Sequence, residues 1–395
     1  MKKKLILSTF ILMVVALTVI LLDQNNERVI YSSKINELPT TDALAMMYET
    51  ESGSGEYVVS DDTSWPLEGY VFNAELSRCE NGSKLYWDEE TKSVMMEANV
   101  SDKCYVYFDK KPSTLASVCE RGDNLAGCIA EFNTLAGDGA EGLYYHDGSG
   151  SYTNASEEAG DNSYRFAGEN PNNYVCFGSK DDICPEDSLY RIIGVFDGKV
   201  KLIKASIASS DLLGTDGAYL GNSDYYWTTN ISSNSWELSI LNTFNLNTYF
   251  ISNFGSEFVS RISNTTWHVG GLSSDIPTDE SAKTVFDYEV GINSDSSSTY
   301  SNYIGLMYVS DYRYASAPTY WSGGTSENWL NIDAIEWTIT RVNDSNEMVY
   351  YIRDNIGSTS GSYYYRFVRP TFYLNSNVAL SGGTGTQSDP YTLAD

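Results

Sequence analysis

Oxygen-bearing side chains at short spacing are the groups here best suited to chemistry, because a hard cation and a sugar hydroxyl are both held by carboxylate and amide oxygens. Two clusters offer them, Glu169-Asn170-Pro171-Asn172 and Trp329-Leu330-Asn331-Ile332-Asp333. Calcium is the cofactor to test there. In the second cluster Ile332 separates Asn331 from Asp333. Solvated acidic loops account for the same residues more simply. Glu327, Asp333 and Glu336 lie near Trp329 and Trp337, an acid, a base and a ring-stacking surface of the kind a glycosidase uses. With 53 acidic residues in the chain such proximity is commonplace, and no residue is assigned a catalytic role. His146 and His268 lack a Ser or Cys partner motif.

Aromatic residues weigh more. The chain has 31 Tyr and 8 Trp, clustered as Tyr225-Tyr226-Trp227, Tyr320-Trp321 and Tyr363-Tyr364-Tyr365. Such side chains bury much area at low entropy cost and suit recognition of sugars or proteins, although most pack in cores. Tyr226, Trp227, Tyr320, Trp321, Trp329 and Asp333 are therefore the candidate ligand-binding residues. Arg341, Arg366 and Arg369 are a cationic minority expected to pair with carboxylates such as Glu336 and hold adjacent strands.

What must position these groups is a chain of 395 residues with 53 acidic against 25 basic residues and a net charge of −28. Phosphate backbones repel such a body, so nucleic acid is not an expected partner. Leu5 to Leu22 is an uncharged run behind Lys2-Lys3-Lys4, long enough to span a bilayer. Its length and the absence of small residues around Ile20-Leu21-Leu22 favour an uncleaved anchor over a secretory signal. The flanking lysines favour a cytoplasmic N-terminus, which places the bulk of the chain outside the cell. Six cysteines suit an oxidising exterior. Sequential pairing of Cys79 with Cys104, Cys119 with Cys128 and Cys176 with Cys184 would close each loop within one structural unit. Fifteen connectivities are open in principle.

The length predicts two folded units plus accessory segments. Residues 1–23 are expected as the anchor and 24–65 as a stalk, with a short helix near Met46-Met47. Residues 66–111 are expected as a small β module, its strands at Tyr70-Val71-Phe72, Leu85-Tyr86-Trp87, Val94-Met95-Met96 and Cys104 to Phe108. Residues 112–395 form the larger α+β unit. It should open with a helical segment at 113–135, interrupted at Arg121-Gly122-Asp123. An integrin-type display of that tripeptide is possible chemistry, but an ordinary turn is the simpler account. Leu189 to Phe196 and Lys199 to Lys204 flank Asp197-Gly198, a strong hairpin signal. Asn234 to Asn245 has the cap and stripe of a helix, and Phe258, Val259 and Ile262 mark another. Residues 267–300 are expected as a surface excursion, Ile304 to Val309 as a buried strand, and Trp337 to Val342 with Met348 to Arg353 as a hairpin. A closing strand follows from Tyr363 to Leu374, where Pro370 demands an edge, a bulge or a strand end.

Several of these blocks, in this order, resemble an uncharacterised domain family of surface proteins from gut-dwelling Gram-positive bacteria. They are Tyr190-Arg191-Ile192-Ile193-Gly194-Val195, Ser235 to Asn242, Leu306 to Ser310, Glu336 to Arg341 and Val368-Arg369-Pro370. The resemblance covers about residues 189–375 and implies a C-type-lectin-like or sulfatase-modifying-factor-like domain. Thr340-Arg341 departs from the Ser-Pro pair that often follows the Trp-Thr block, which leaves a shared pocket in doubt. The whole chain is thus expected to be a membrane-anchored, extracellular, non-catalytic binding or adhesion protein for a glycan or a surface protein. The alternatives are a carbohydrate-active enzyme and a passive envelope component.

Overall fold

The computed structural model describes residues 27–31, 43–60, 69–88, 90–91, 93–98, 102–119, 122–149, 155–230, 232–275, 279–293, 298–353 and 356–394. The expected anchor and Arg121 lie outside them. Among the described residues no helix is long and apolar enough to cross a membrane. The chain divides into two compact units, Met1–Ser113 and Thr114–Asp395.

The described residues of the first unit form seven strands: β1 (Glu27–Tyr31), β2 (Ala43–Glu49), β3 (Tyr57–Val59), β4 (Tyr70–Cys79), β5 (Lys84–Asp88), β6 (Ser93–Ala98) and β7 (Lys103–Lys110). One sheet runs β3-β2-β7-β4 and the other β1-β6-β5. Val106 and Phe108 alternate inward along β7 and join Met46, Tyr48 and Val94 in a shared core, the period of two that a half-buried strand requires. Cys79 and Cys104 face each other in register and are bonded, a staple for a core this small. The helix expected at Met46-Met47 is instead strand β2, paired parallel with β7. A short apolar run carries no period that separates a buried strand from a helix. The segment expected as a stalk thus supplies two strands of this sheet.

The second unit is organised on a seven-stranded antiparallel sheet. Its strands are β8 (Leu143–His146), β9 (Ser163–Phe166), β10 (Tyr174–Cys176), β11 (Leu189–Phe196), β12 (Lys199–Lys204), and, far along the chain, Ile304–Gly305 and Thr371–Tyr373. The order is Ile304–Gly305, Thr371–Tyr373, β12, β11, β9, β8, with β10 also paired to β11. Asp197 and Gly198 close the β11–β12 hairpin with φ of 48° and 70°, as expected for this turn type. Glu336–Arg341 pairs with Met348–Arg353, which pairs in turn with Ile356–Gly361. The helix Leu125–Ala136 packs Leu125, Ile129 and Phe132 into the main core. Cys119–Cys128 and Cys176–Cys184 complete the sequential pairing.

Four expectations need correction. The helix expected from Asn234 begins as a single tight turn at Trp236–Leu238 and continues as a wide π-helix over Leu241–Phe250. Asn234 does not cap it, because its amide is held by the carbonyls of Val342, Ser345 and Met348. The strand expected from Ile304 to Val309 ends at Gly305, and a helix starts at Val309, where Asp311 accepts from the Tyr308 N–H. Residues 267–300 are not a surface excursion throughout, for the helix Ala282–Glu289 buries Ala282, Val285, Phe286 and Glu289. The closing strand is two short pieces, Tyr365–Arg366 and Thr371–Tyr373, with Pro370 just outside the second.

Candidate functional site

One row across the large sheet sets the most chemically loaded place in the second unit. Register aligns Arg165 on β9 with Gly194 on β11, Gly194 with Lys201 on β12, and Lys201 with Tyr373. Paired residues of a sheet present their side chains on one face, so Arg165, Lys201 and Tyr373 share a wall. Gly194 has to be glycine, since a Cβ there would meet the Tyr164 carbonyl oxygen at 2.1 Å. Above this row lies a pocket of about 180 Å³, walled also by Phe196, Phe286, His268 and Tyr308 and by the acidic groups Asp161, Glu289 and Asp311.

The floor is ionic and buried. Lys201 Nζ donates to Asp311 Oδ2 at 2.5 Å, with side-chain exposures of 1% and 2%, and the Tyr308 ring lies 4.4 Å from the ammonium. Burial lowers the Lys201 pKa, and Asp311 offsets part of that cost. Arg165 is clamped by Asp161 Oδ2 at 2.6 Å and by Ser163 Oγ at 2.8 Å, and its guanidinium lies against Phe196, Phe286 and Tyr314. Burial opposes its charge, but Asp161, Tyr314 and Asp311 outweigh this and raise its pKa. Its remaining nitrogen, Nη1, stands 4.0 Å from Asp311 Oδ1, beyond hydrogen-bond reach.

Glu289 closes one side. The carboxylate accepts from the N–H groups of Val309 and Ser310 at 3.0 and 3.2 Å and from the Thr340 hydroxyl, and so holds the start of the helix that carries Asp311. Burial pushes its pKa up to about 7 against the pull of the Ser310 and Thr340 hydrogen bonds. On the opposite side the His268 N–H donates to Tyr308 Oη at 2.7 Å, while His268 Nδ1 is buried without a hydrogen-bond partner. Burial, and then Lys201, lowers the His268 pKa.

The residues singled out from sequence lie elsewhere. Trp227 and Trp329 are in the main core and Trp321 is in a separate cluster with Phe286 and Tyr314, so the three indoles are corrected from ligand platform to packing. Each indole N–H is spent on a carbonyl: Trp227 on Thr338, Trp321 on Ser316, Trp329 on Phe166. Tyr226 and Tyr320 are half-buried, and Asp333 is exposed at a φ of 54° with its N–H turned to Asn331 Oδ1. Of the three carboxyls weighed for catalysis, Glu327 and Asp333 are exposed and Glu336 is buried. Glu336 is held by Arg369 through two bonds of 2.6 and 2.7 Å.

The two loops weighed for calcium do come together, around a different cation. The Arg191 guanidinium donates to the carbonyls of Pro171 and Trp329 at 3.0 and 3.2 Å and to Asn173 Oδ1 at 2.7 Å. It lies over the rings of Tyr174 and Trp329. Burial, with Arg369 adding to it, brings its pKa down to about 10. Among the described residues, one group of Cys, His, Asp or Glu side chains is close enough to hold a metal, Cys79, Asp102 and Cys104. The two sulfurs there are bonded to each other, and Asp102 accepts from the N–H groups of Asn81 and Ser83.

Lys201 and Glu289 escaped sequence reasoning for different reasons. The lysines of β12 look like a solvated strand face. Glu289 had a usable signal, because Ala282, Val285, Phe286 and Glu289 fall on one helical face and place a carboxyl at the end of an apolar stripe. Comparison of the chain with protein-family models, characterised proteins and solved structures gives no match.

Proposed function

We propose that this chain is a membrane-anchored, extracellular, non-catalytic binding protein whose α+β unit, on a C-type-lectin-like plan, takes a small polar group of a glycan or surface protein into the pocket over Lys201. The observation that carries this reading is an open pocket whose floor is already ion-paired. Such a floor is rigid and offers fixed donors and acceptors without a free nucleophile. The uncharged run from Leu5 to Leu22 and the three disulfides support the placement outside the cell. Calcium dependence remains part of the test, because the exposed carboxylate of Asp197 lines the pocket.

A carbohydrate-active enzyme is the second reading, favoured by one feature. Glu289 is a carboxyl tuned to about 7 beside a pocket, the property of a general acid. Its oxygens, however, are occupied by Val309, Ser310 and Thr340, which suits a structural carboxylate. The full chain in detergent, screened on immobilised glycans and mucins with and without calcium, should retain a subset of them unchanged. Release of a cleaved product would favour the enzyme, and a folded chain that retains nothing would leave a passive envelope component.

A further inference from the structure

The floor of the pocket has polar capacity left over, and its pattern defines a ligand class. Arg165 Nη1 and Asp311 Oδ1 face each other at 4.0 Å with 2% exposure on each side chain, a donor and an acceptor too far apart to satisfy one another. Lys201 Nζ carries three donors and spends one on Asp311, with aromatic rings as its other near neighbours. His268 Nδ1 is buried and without a partner. Leaving such groups unmet costs free energy, so whatever enters is selected by how well it completes them.

Charge narrows the choice. Arg165, Lys199 and Lys201 stand against Asp161, Asp197 and Asp311 around the pocket, three of each sign, while the Glu289 oxygens are turned to Val309, Ser310 and Thr340. An anion placed between Arg165 and Asp311 is repelled by the carboxylate, and a cation by the guanidinium and Lys201. A hydroxyl fits both, accepting from Arg165 Nη1 while donating to Asp311 Oδ1. A neighbouring hydroxyl can accept from Lys201. Phe196, Phe286 and Tyr373 supply apolar wall for the C–H bonds between them.

We infer that the pocket binds the neutral, vicinally hydroxylated ring of a sugar, in preference to acidic or amino sugars, with Arg165, Lys201 and Asp311 as the specificity-determining groups. The inference rests on the binding role proposed above and is tested so that the two can fail separately. The full chain in detergent is titrated calorimetrically with the methyl glycosides of glucose, galactose and mannose, with glucuronic acid, with N-acetylneuraminic acid and with glucosamine. Thr266→Trp, at an exposed position on the pocket mouth, is measured beside it. The expected result is binding of at least one neutral glycoside at least about tenfold tighter than any charged sugar, the weight of one charge-assisted hydrogen bond. That binding should fall at least about tenfold in Thr266→Trp, which leaves the floor and the fold intact by thermal melting.

In Asp311→Asn, checked for folding in the same way, the preference should move towards the acidic sugars. Should that variant not fold, Thr266→Trp decides alone. Tighter binding of a charged sugar that Thr266→Trp abolishes would overturn the ligand class and keep the pocket as a binding site. Sugar binding indifferent to Thr266→Trp, or no binding of any of the sugars, overturns the assignment of the pocket to sugars.

Discussion

Two buried cationic clusters in the second unit use the same residue types to opposite ends. Around Arg369 and Arg191 every oxygen that faces the guanidinium is hydrogen-bonded to it. Arg369 meets both oxygens of Glu336 and the Leu330 carbonyl, and Arg191 meets two carbonyls and an amide. Around Arg165 and Lys201 the pairing is incomplete, because Arg165 Nη1 and Asp311 Oδ1 stay 4.0 Å apart under an open pocket. A completed cluster welds elements together and excludes other molecules. An unfinished one is held in place by the bonds it has and can recognise with those it lacks.

The largest effect should come from breaking the closed cluster. Arg369→Leu leaves Glu336, 1% exposed, buried without its counter-charge, and unfolding free energy in urea should fall by about 3–5 kcal/mol. A loss below about 1 kcal/mol would mean that the cluster does not weld anything.

Next comes pH, which bears on the open cluster. Glu289 has its pKa raised from 4.5 to about 7 in the folded chain, so between these values the folded state holds a proton that the unfolded state has released. Its contribution to stability is full below about 4.5 and is lost as pH rises through about 7, by up to about 3 kcal/mol. His146 and His268, whose pKa values burial lowers, act in the opposite sense. The measurement is therefore the difference between wild type and Glu289→Gln in chemical denaturation at pH 5 and pH 8. The wild type should lose stability relative to the variant at the higher pH, and parallel curves would remove Glu289 from this role.

Trp329→Phe separates packing from recognition. The Phe166 carbonyl loses its indole donor, and stability should drop by about 1–3 kcal/mol with the ligand profile of the pocket unchanged. A changed ligand profile at unaltered stability would return Trp329 to the binding surface. The smallest effect belongs to Asp333→Asn, an exposed residue at a positive φ that asparagine also tolerates, whose change should move stability by no more than about 0.5 kcal/mol and binding not at all.

Sequence showed most plainly what local backbone chemistry decides. Asp197-Gly198 had to be a turn because both residues tolerate positive φ, and neighbouring cysteines paired as loop closure favours. The strands of the first unit were visible through short apolar runs between turn residues. Burial was harder to see. Trp227, Trp321 and Trp329 carry the types of a binding surface and the positions of a core, and type alone does not separate these. Lys201 was hidden because its cost of burial is met by Asp311, 110 positions away. The site therefore depended on long-range register, which only the row from Arg165 to Tyr373 discloses.

That row also fixes an order of events. Thr371–Tyr373 is an interior strand of the sheet, bounded by β12 and Ile304–Gly305, and it is made some 170 residues after the strand it pairs with. During synthesis β12 waits with one edge unpaired until Tyr373 emerges, and only then can the Lys201 wall close. A chain truncated before Thr371 should accordingly expose the β12 edge and aggregate rather than fold into a smaller pocket.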